Sequence, residues 1–96
     1  MHVITEKRLK AFWVTHPDAE HPLREWLRAM EQGRFPDFTS VRALWPSADY
    51  VGGLTVFNIG GNKYRLIADI RYNLGRVYIQ AVLTHAEYDR GLWKRS

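Results

Sequence analysis

The chain has 96 residues, with 14 Lys and Arg against 10 Asp and Glu, a formal net charge of +4 and no cysteine. This length has room for one hydrophobic core, and 46% hydrophobic residues, with four Trp, five Tyr and four Phe, are too many for a disordered segment. The missing cysteines exclude a disulfide framework, a thiol nucleophile and Cys-based zinc sites, while charges at Glu6, Lys7, Arg8 and Lys10 exclude a signal peptide and no run approaches a membrane span. The expectation is one cytoplasmic domain spanning residues 1–96, with no membrane partner.

Thr5 is positioned to cap a first helix, in which Leu9, Phe12 and Trp13 recur at helical spacing until Pro17 stops the run. A second helix is predicted over residues 20–32. Leu23, Trp26, Leu27 and Met30 fall on one face, Pro22 fits the first turn, and Gly33 suits the position just past the end. Residues 37–46 read as a loop with one or two helical turns, capped by Thr39 or Ser40, with Val41, Leu44 and Trp45 turned inward.

The period then changes from helical to alternating. Residues 54–59 read as a strand, Gly60-Gly61 as a two-residue turn, and residues 62–72 as a longer strand. In that strand Tyr64, Leu66, Ala68, Ile70 and Tyr72 alternate with Lys63, Arg65, Ile67, Asp69 and Arg71, which predicts an apolar face and a charged one. After a turn at Asn73-Leu74-Gly75, residues 76–83 place Val77, Ile79, Ala81 and Leu83 on one face and Tyr78, Gln80 and Val82 on the other. Thr84 caps a short turn over residues 85–89, before the basic tail Lys94-Arg95. The predicted fold is α+β: two N-terminal helices packed on one face of a small antiparallel sheet, with a short C-terminal helical turn. The opposite sheet face is left basic and open.

The charge is unevenly spread. The first 49 residues balance seven bases against seven acids, whereas residues 50–96 hold seven bases and three acids. Such a surface attracts polyanions. The four histidines, His2, His16, His21 and His85, lack metal-ligand spacing, and no phosphate-binding glycine motif is present, so neither metal nor cofactor is expected. What remains is Lys63, Arg65 and Arg71 on the charged face, with His85 and Tyr88 at i and i+3 beyond the last strand. Cleavage of RNA without metal needs a base for the 2′-OH, a cation for the phosphate and an acid for the leaving 5′-oxygen. Imidazole serves either proton transfer, a tyrosine serves as base beside cations, and aromatic rings such as Tyr64 or Tyr88 also stack on unpaired bases.

Residues 56–66, VFNIGGNKYRL, followed by Val77-Tyr78-Ile79 and by Thr84-His85-Ala86-Glu87-Tyr88-Asp89, resemble the HigB toxin family of bacterial type II toxin–antitoxin systems. Met1-His2-Val3-Ile4, His16-Pro17-Asp18-Ala19 and Trp45-Pro46-Ser47-Ala48-Asp49 fit the same family, so the resemblance covers nearly the whole chain. It implies a RelE-like fold and an mRNA endoribonuclease that cuts translated messages in the ribosomal A site. It also implies neutralisation by a HigA-type helix-turn-helix antitoxin. Carried onto this chain, it puts Arg65 and Lys63 on the scissile phosphate and divides the proton transfers between His85 and Tyr88. Asn58 and Asn62 join Tyr64, Arg71, Lys94 and Arg95 as RNA-binding candidates. The alternative is a non-catalytic RNA- or partner-binding module that uses the same basic face.

Overall fold

In the computed structural model, which describes residues 1–91 and residue 93, two layers form from the following order of elements. Strand β1 (His2–Ile4) leads into α1 (Lys7–Thr15), a 3-10 turn (Pro17–Ala19), α2 (Glu20–Gln32) and α3 (Phe38–Leu44). Then come β2 (Asp49–Val51), β3 (Leu54–Ile59), β4 (Tyr64–Arg71), β5 (Arg76–Thr84) and α4 (His85–Asp89). The sheet order is β1-β5-β4-β3-β2. All neighbours pair antiparallel except β1, which runs parallel to β5. The fold is therefore α+β with a mixed sheet, and the two edge strands are additions to the predicted set. Each has three residues, too few to display an alternating pattern.

The core lies between the helices and one face of the sheet. Phe57, Leu66, Ala68, Val77 and Ile79 meet Leu9, Leu23, Trp26, Met30 and Val41, all at most 2% exposed. Each large side chain among them contributes about 1.5–3 kcal/mol by leaving water. Helix α2 has the predicted bounds, but Gly33 ends it for another reason than a left-handed turn. Its φ is −84°, and a Cβ there would lie 2.4 Å from the Phe35 ring. Absence of a side chain, not backbone freedom, is what the position requires.

Two caps differ from expectation. Thr5 does not cap α1: its hydroxyl accepts from the Ile79 amide at 3.1 Å, tying the β1–α1 link to β5, and Glu6 occupies the cap position. Helix α3 is capped by Asp37, which accepts from the Ser40 amide at 2.9 Å, while Ser40 supplies the third residue of a capping box. Val41 turns inward as expected, but Leu44 is 53% exposed.

The faces of β5 also need correction. Ile79 pairs with Ala68 and Ala81 pairs with Ile67, so Gln80 is an extra, bulged residue. One inserted residue inverts the alternation beyond it. Val82, opposite Leu66, therefore packs against the core, while Ala81 and Leu83 join Ile67 and Arg65 on the second face. That second face is not an open basic surface, because Val56 is 3%, Ile67 0% and Arg65 8% exposed.

Candidate functional site

Gly60 and Gly61, at φ values of 64° and 72°, let the chain leave β3 through left-handed backbone that side chains resist. The connection has four residues, 60–63, not two, and the Lys63 amide donates to the Gly60 carbonyl at 3.4 Å. The longer turn folds Asn62 back over the start of β4. There the Arg65 guanidinium donates to the Asn62 carbonyl at 3.2 Å, to the Tyr64 carbonyl at 3.1 Å and to the Asn62 side-chain oxygen at 2.6 Å.

Every one of these acceptors is neutral. Arginine is seldom this buried without a carboxylate, yet among the described residues none pairs with Arg65. Three hydrogen bonds leave two of the guanidinium's five donors without a partner among the described residues. A desolvated cation with unused donors and uncompensated charge is a receptor for an anion.

Strand β5 delivers α4 to the same place. Thr84 and Glu87 form a reciprocal capping box, with the Glu87 amide 3.2 Å from the Thr84 hydroxyl and the Thr84 amide 2.9 Å from the Glu87 carboxylate. The first residue of the helix is tied to the β3–β4 turn, since the His85 amide donates to the Lys63 carbonyl at 3.0 Å. His85 Nδ1 lies 3.0 Å from the Asp89 carboxylate, which fixes one ring nitrogen and leaves Nε2 for other partners. One turn along, the Tyr88 ring lies under the guanidinium, with Arg65 Cζ 5.4 Å from its centre. The same ring is stacked on Trp93, with centroids 5.1 Å apart and planes 14° from parallel. The ring of Tyr88 is thus engaged by two protein neighbours, Arg65 and Trp93.

Of the residues expected here, Arg65, Asn62 and Tyr88 come into contact, and the His85 backbone is tied to the same turn. Asn58 is the cross-strand partner of Arg65. Lys63 points elsewhere: its ammonium is 2.9 Å from Asp18, on the connection between α1 and α2. Tyr64 is not a stacking platform. It is buried against the helices, edge-on to Phe12 and His16, and its hydroxyl donates to the other Asp18 oxygen at 2.6 Å. The Tyr64 hydroxyl and the Lys63 ammonium hold the Asp18 carboxyl below its ordinary pKa, and Asp18 in turn raises those of both partners. Arg71 is six residues from Arg65, about 20 Å along the strand. It is bound to Asp69 at 2.8 Å, so its charge is largely spent at the far end of the sheet. Lys94 and Arg95 lie outside the described residues.

Two acids at or beside this site were not among the candidates. Asp89 carried a local signal, the i, i+4 spacing from His85 on one helix. Asp18 carried none, being 45 residues from Lys63. Among the described residues no group of three or more His, Asp or Glu gathers as metal ligands would, and no helix is long and apolar enough to cross a membrane.

Comparison with known proteins gives the family. Residues 19–91 match the HigB toxin family, described as the RelE-like toxic component of a toxin–antitoxin system. An mRNA interferase toxin HigB of Escherichia coli K12 is 36% identical over 92 residues, which is 93% of this chain and 88% of the relative. An mRNA interferase HigB of Shigella flexneri matches to the same extent. Another, from Escherichia coli O6:H1, is 27% identical over 94% of this chain and 90% of its own length.

Proposed function

Because the chain belongs to the HigB toxin family, the toxic component of toxin–antitoxin systems, we propose that it is an endoribonuclease that cleaves mRNA at the Arg65–His85–Tyr88 site. Its substrate is RNA and its cellular partner an antitoxin. The reading extends to a HigA-type helix-turn-helix antitoxin, to messages presented in the ribosomal A site, and to the cytoplasm where ribosomes translate.

The observation that carries this assignment is the buried Arg65 guanidinium, bonded among the described residues only to neutral oxygens, with the Tyr88 ring against it and the first residue of α4, His85, tied by its amide to the same turn. In the reaction a 2′-oxygen loses its proton and attacks the adjacent phosphorus, and the bond to the 5′-oxygen breaks as that oxygen gains a proton. The products are a 2′,3′-cyclic phosphate and a 5′-hydroxyl. The two unused donors of Arg65 face the charge that grows on the non-bridging oxygens, where removing one such donor costs about 10²–10³ in rate. His85, oriented by Asp89, and the Tyr88 hydroxyl divide the two proton transfers. Lys63 is held by Asp18 and leaves the phosphate to Arg65.

The test is to induce the protein in a translating extract and map message ends. New ends carrying 2′,3′-cyclic phosphate are expected with the wild type and not with Arg65→Ala. Intact messages with the wild type, or equal cutting by Arg65→Ala, His85→Ala and Tyr88→Ala, would reject the assignment.

A further inference from the structure

Resting on the reading of the chain as a nuclease, we infer that Asp18 is a positioning residue of the cleavage site. By bridging Lys63 and Tyr64 it fixes the β3–β4 turn that holds both Arg65 and α4.

The His16-Pro17-Asp18-Ala19 stretch has no part in the chemistry above, yet it is built as an anchor. Ala19 is fully buried, and the His16 ring stacks on Phe12 at 4.1 Å, with the Tyr64 ring edge-on to both. From this base the Asp18 carboxylate reaches across to the sheet, one oxygen to the Lys63 ammonium and the other to the Tyr64 hydroxyl. The turn it grips has two left-handed glycines and an exposed Asn62. Glycine backbone is the least restrained in the chain, so a turn of this kind needs an external tie to hold one conformation.

What the turn carries is the reason the tie matters. Asn62 supplies two of the three acceptors of Arg65, and the Lys63 carbonyl receives the His85 amide. A displacement of the turn therefore moves the phosphate-binding cation and the start of α4 together. Catalysis is far more sensitive to such movement than stability is. A misplacement of about 1 Å can cost about 10²-fold in rate, whereas an exposed ion pair contributes little to folding. The lysine expected at the phosphate thus acts through its backbone and its tether.

The test uses the full chain in the message-cleavage assay, with thermal unfolding and amide hydrogen exchange at His85 measured in parallel. Asp18→Ala should lower kcat about tenfold or more, leave KM within about twofold and the unfolding midpoint within a few degrees, and speed exchange at His85. Asp18→Asn should recover part of kcat, because its amide oxygen still accepts from Tyr64. A wild-type kcat in Asp18→Ala overturns the inference. So does activity lost only in proportion to unfolded protein, with Asp18→Asn no better than Asp18→Ala. If the wild type itself leaves messages intact, the nuclease reading fails separately. His85 exchange then decides on the tether alone, faster exchange in Asp18→Ala supporting it and unchanged exchange rejecting it.

Discussion

The guanidinium of Arg65 lies over the ring of Tyr88, its Cζ 5.4 Å from the ring centre, joining the start of β4 to α4. The pair makes Arg65 a fixed feature of the protein before any substrate arrives. The planar guanidinium spreads its donors over both Asn62 oxygens while it lies over the ring, whereas a lysine ammonium is a compact point charge without that fork. Arg65→Lys is therefore expected to lose about 10²-fold in kcat despite keeping the charge, measured by single-turnover cleavage of a defined message. Activity within threefold of wild type would show that charge alone suffices.

Tyr88 has two separable properties, a ring in contact with Arg65 and Trp93 and a hydroxyl. Tyr88→Phe keeps the stack and removes the acid–base group. It should cut kcat by about 10²-fold with unchanged thermal stability. Equal rates for Tyr88→Phe and wild type, with only Tyr88→Ala impaired, would make Tyr88 a wall for Arg65 and nothing more.

Asp89 orients His85 across one helical turn. Loss of that contact frees the ring without removing it, so Asp89→Ala should cost less than His85→Ala. About tenfold against about 10²-fold or more in kcat is expected, at equal KM. An Asp89→Ala variant as slow as His85→Ala would give the carboxylate a part of its own.

Much of the fold was legible because its signals are local. The face of α2, the alternation in β4 and the capping motif at Thr84 each lie within a dozen residues, and all three appear in the structure. The bulge at Gln80 left no trace in the pattern, because Ala81, Val82 and Leu83 are apolar on either assignment. The burial of Arg65 was equally hidden. An arginine in an alternating strand reads as solvent-facing, and only the four-residue turn and α4 together enclose it. Lys63 was drawn away by Asp18, a partner that no sequence spacing relates to it.

The Asp18 tether has a defined pH window. Asp18 titrates below its ordinary value, so its contribution to stability is complete above about pH 4 and disappears as pH falls through the lowered pKa. Lys63 and Tyr64 titrate above theirs, so their contributions are complete below about pH 10 and disappear as pH rises through the raised values. The difference in unfolding midpoint between wild type and Asp18→Ala should be greatest in between and close at both ends. A difference constant from pH 2 to about pH 11 would contradict the assignment.

Gly33→Ala would place a methyl group 2.4 Å from the Phe35 ring, which is itself 8% exposed and has little room to retreat. A loss of about 1–3 kcal/mol is expected, read as a fall in the unfolding midpoint with cleavage by the remaining folded protein intact. An unchanged midpoint would mean that Phe35 repacks freely.

The β3–β4 turn gathers Asp18 from the helical layer, Arg65 from the sheet and His85 from α4. These parts span some seventy positions of the chain, and none of the links is made by neighbours within a single element. During synthesis, the side chains proposed to bind phosphate and move protons therefore stay apart until the polypeptide has grown through residue 89 and folded back on itself. The proposed site is thus the last part of the fold to be completed, by the order of its elements.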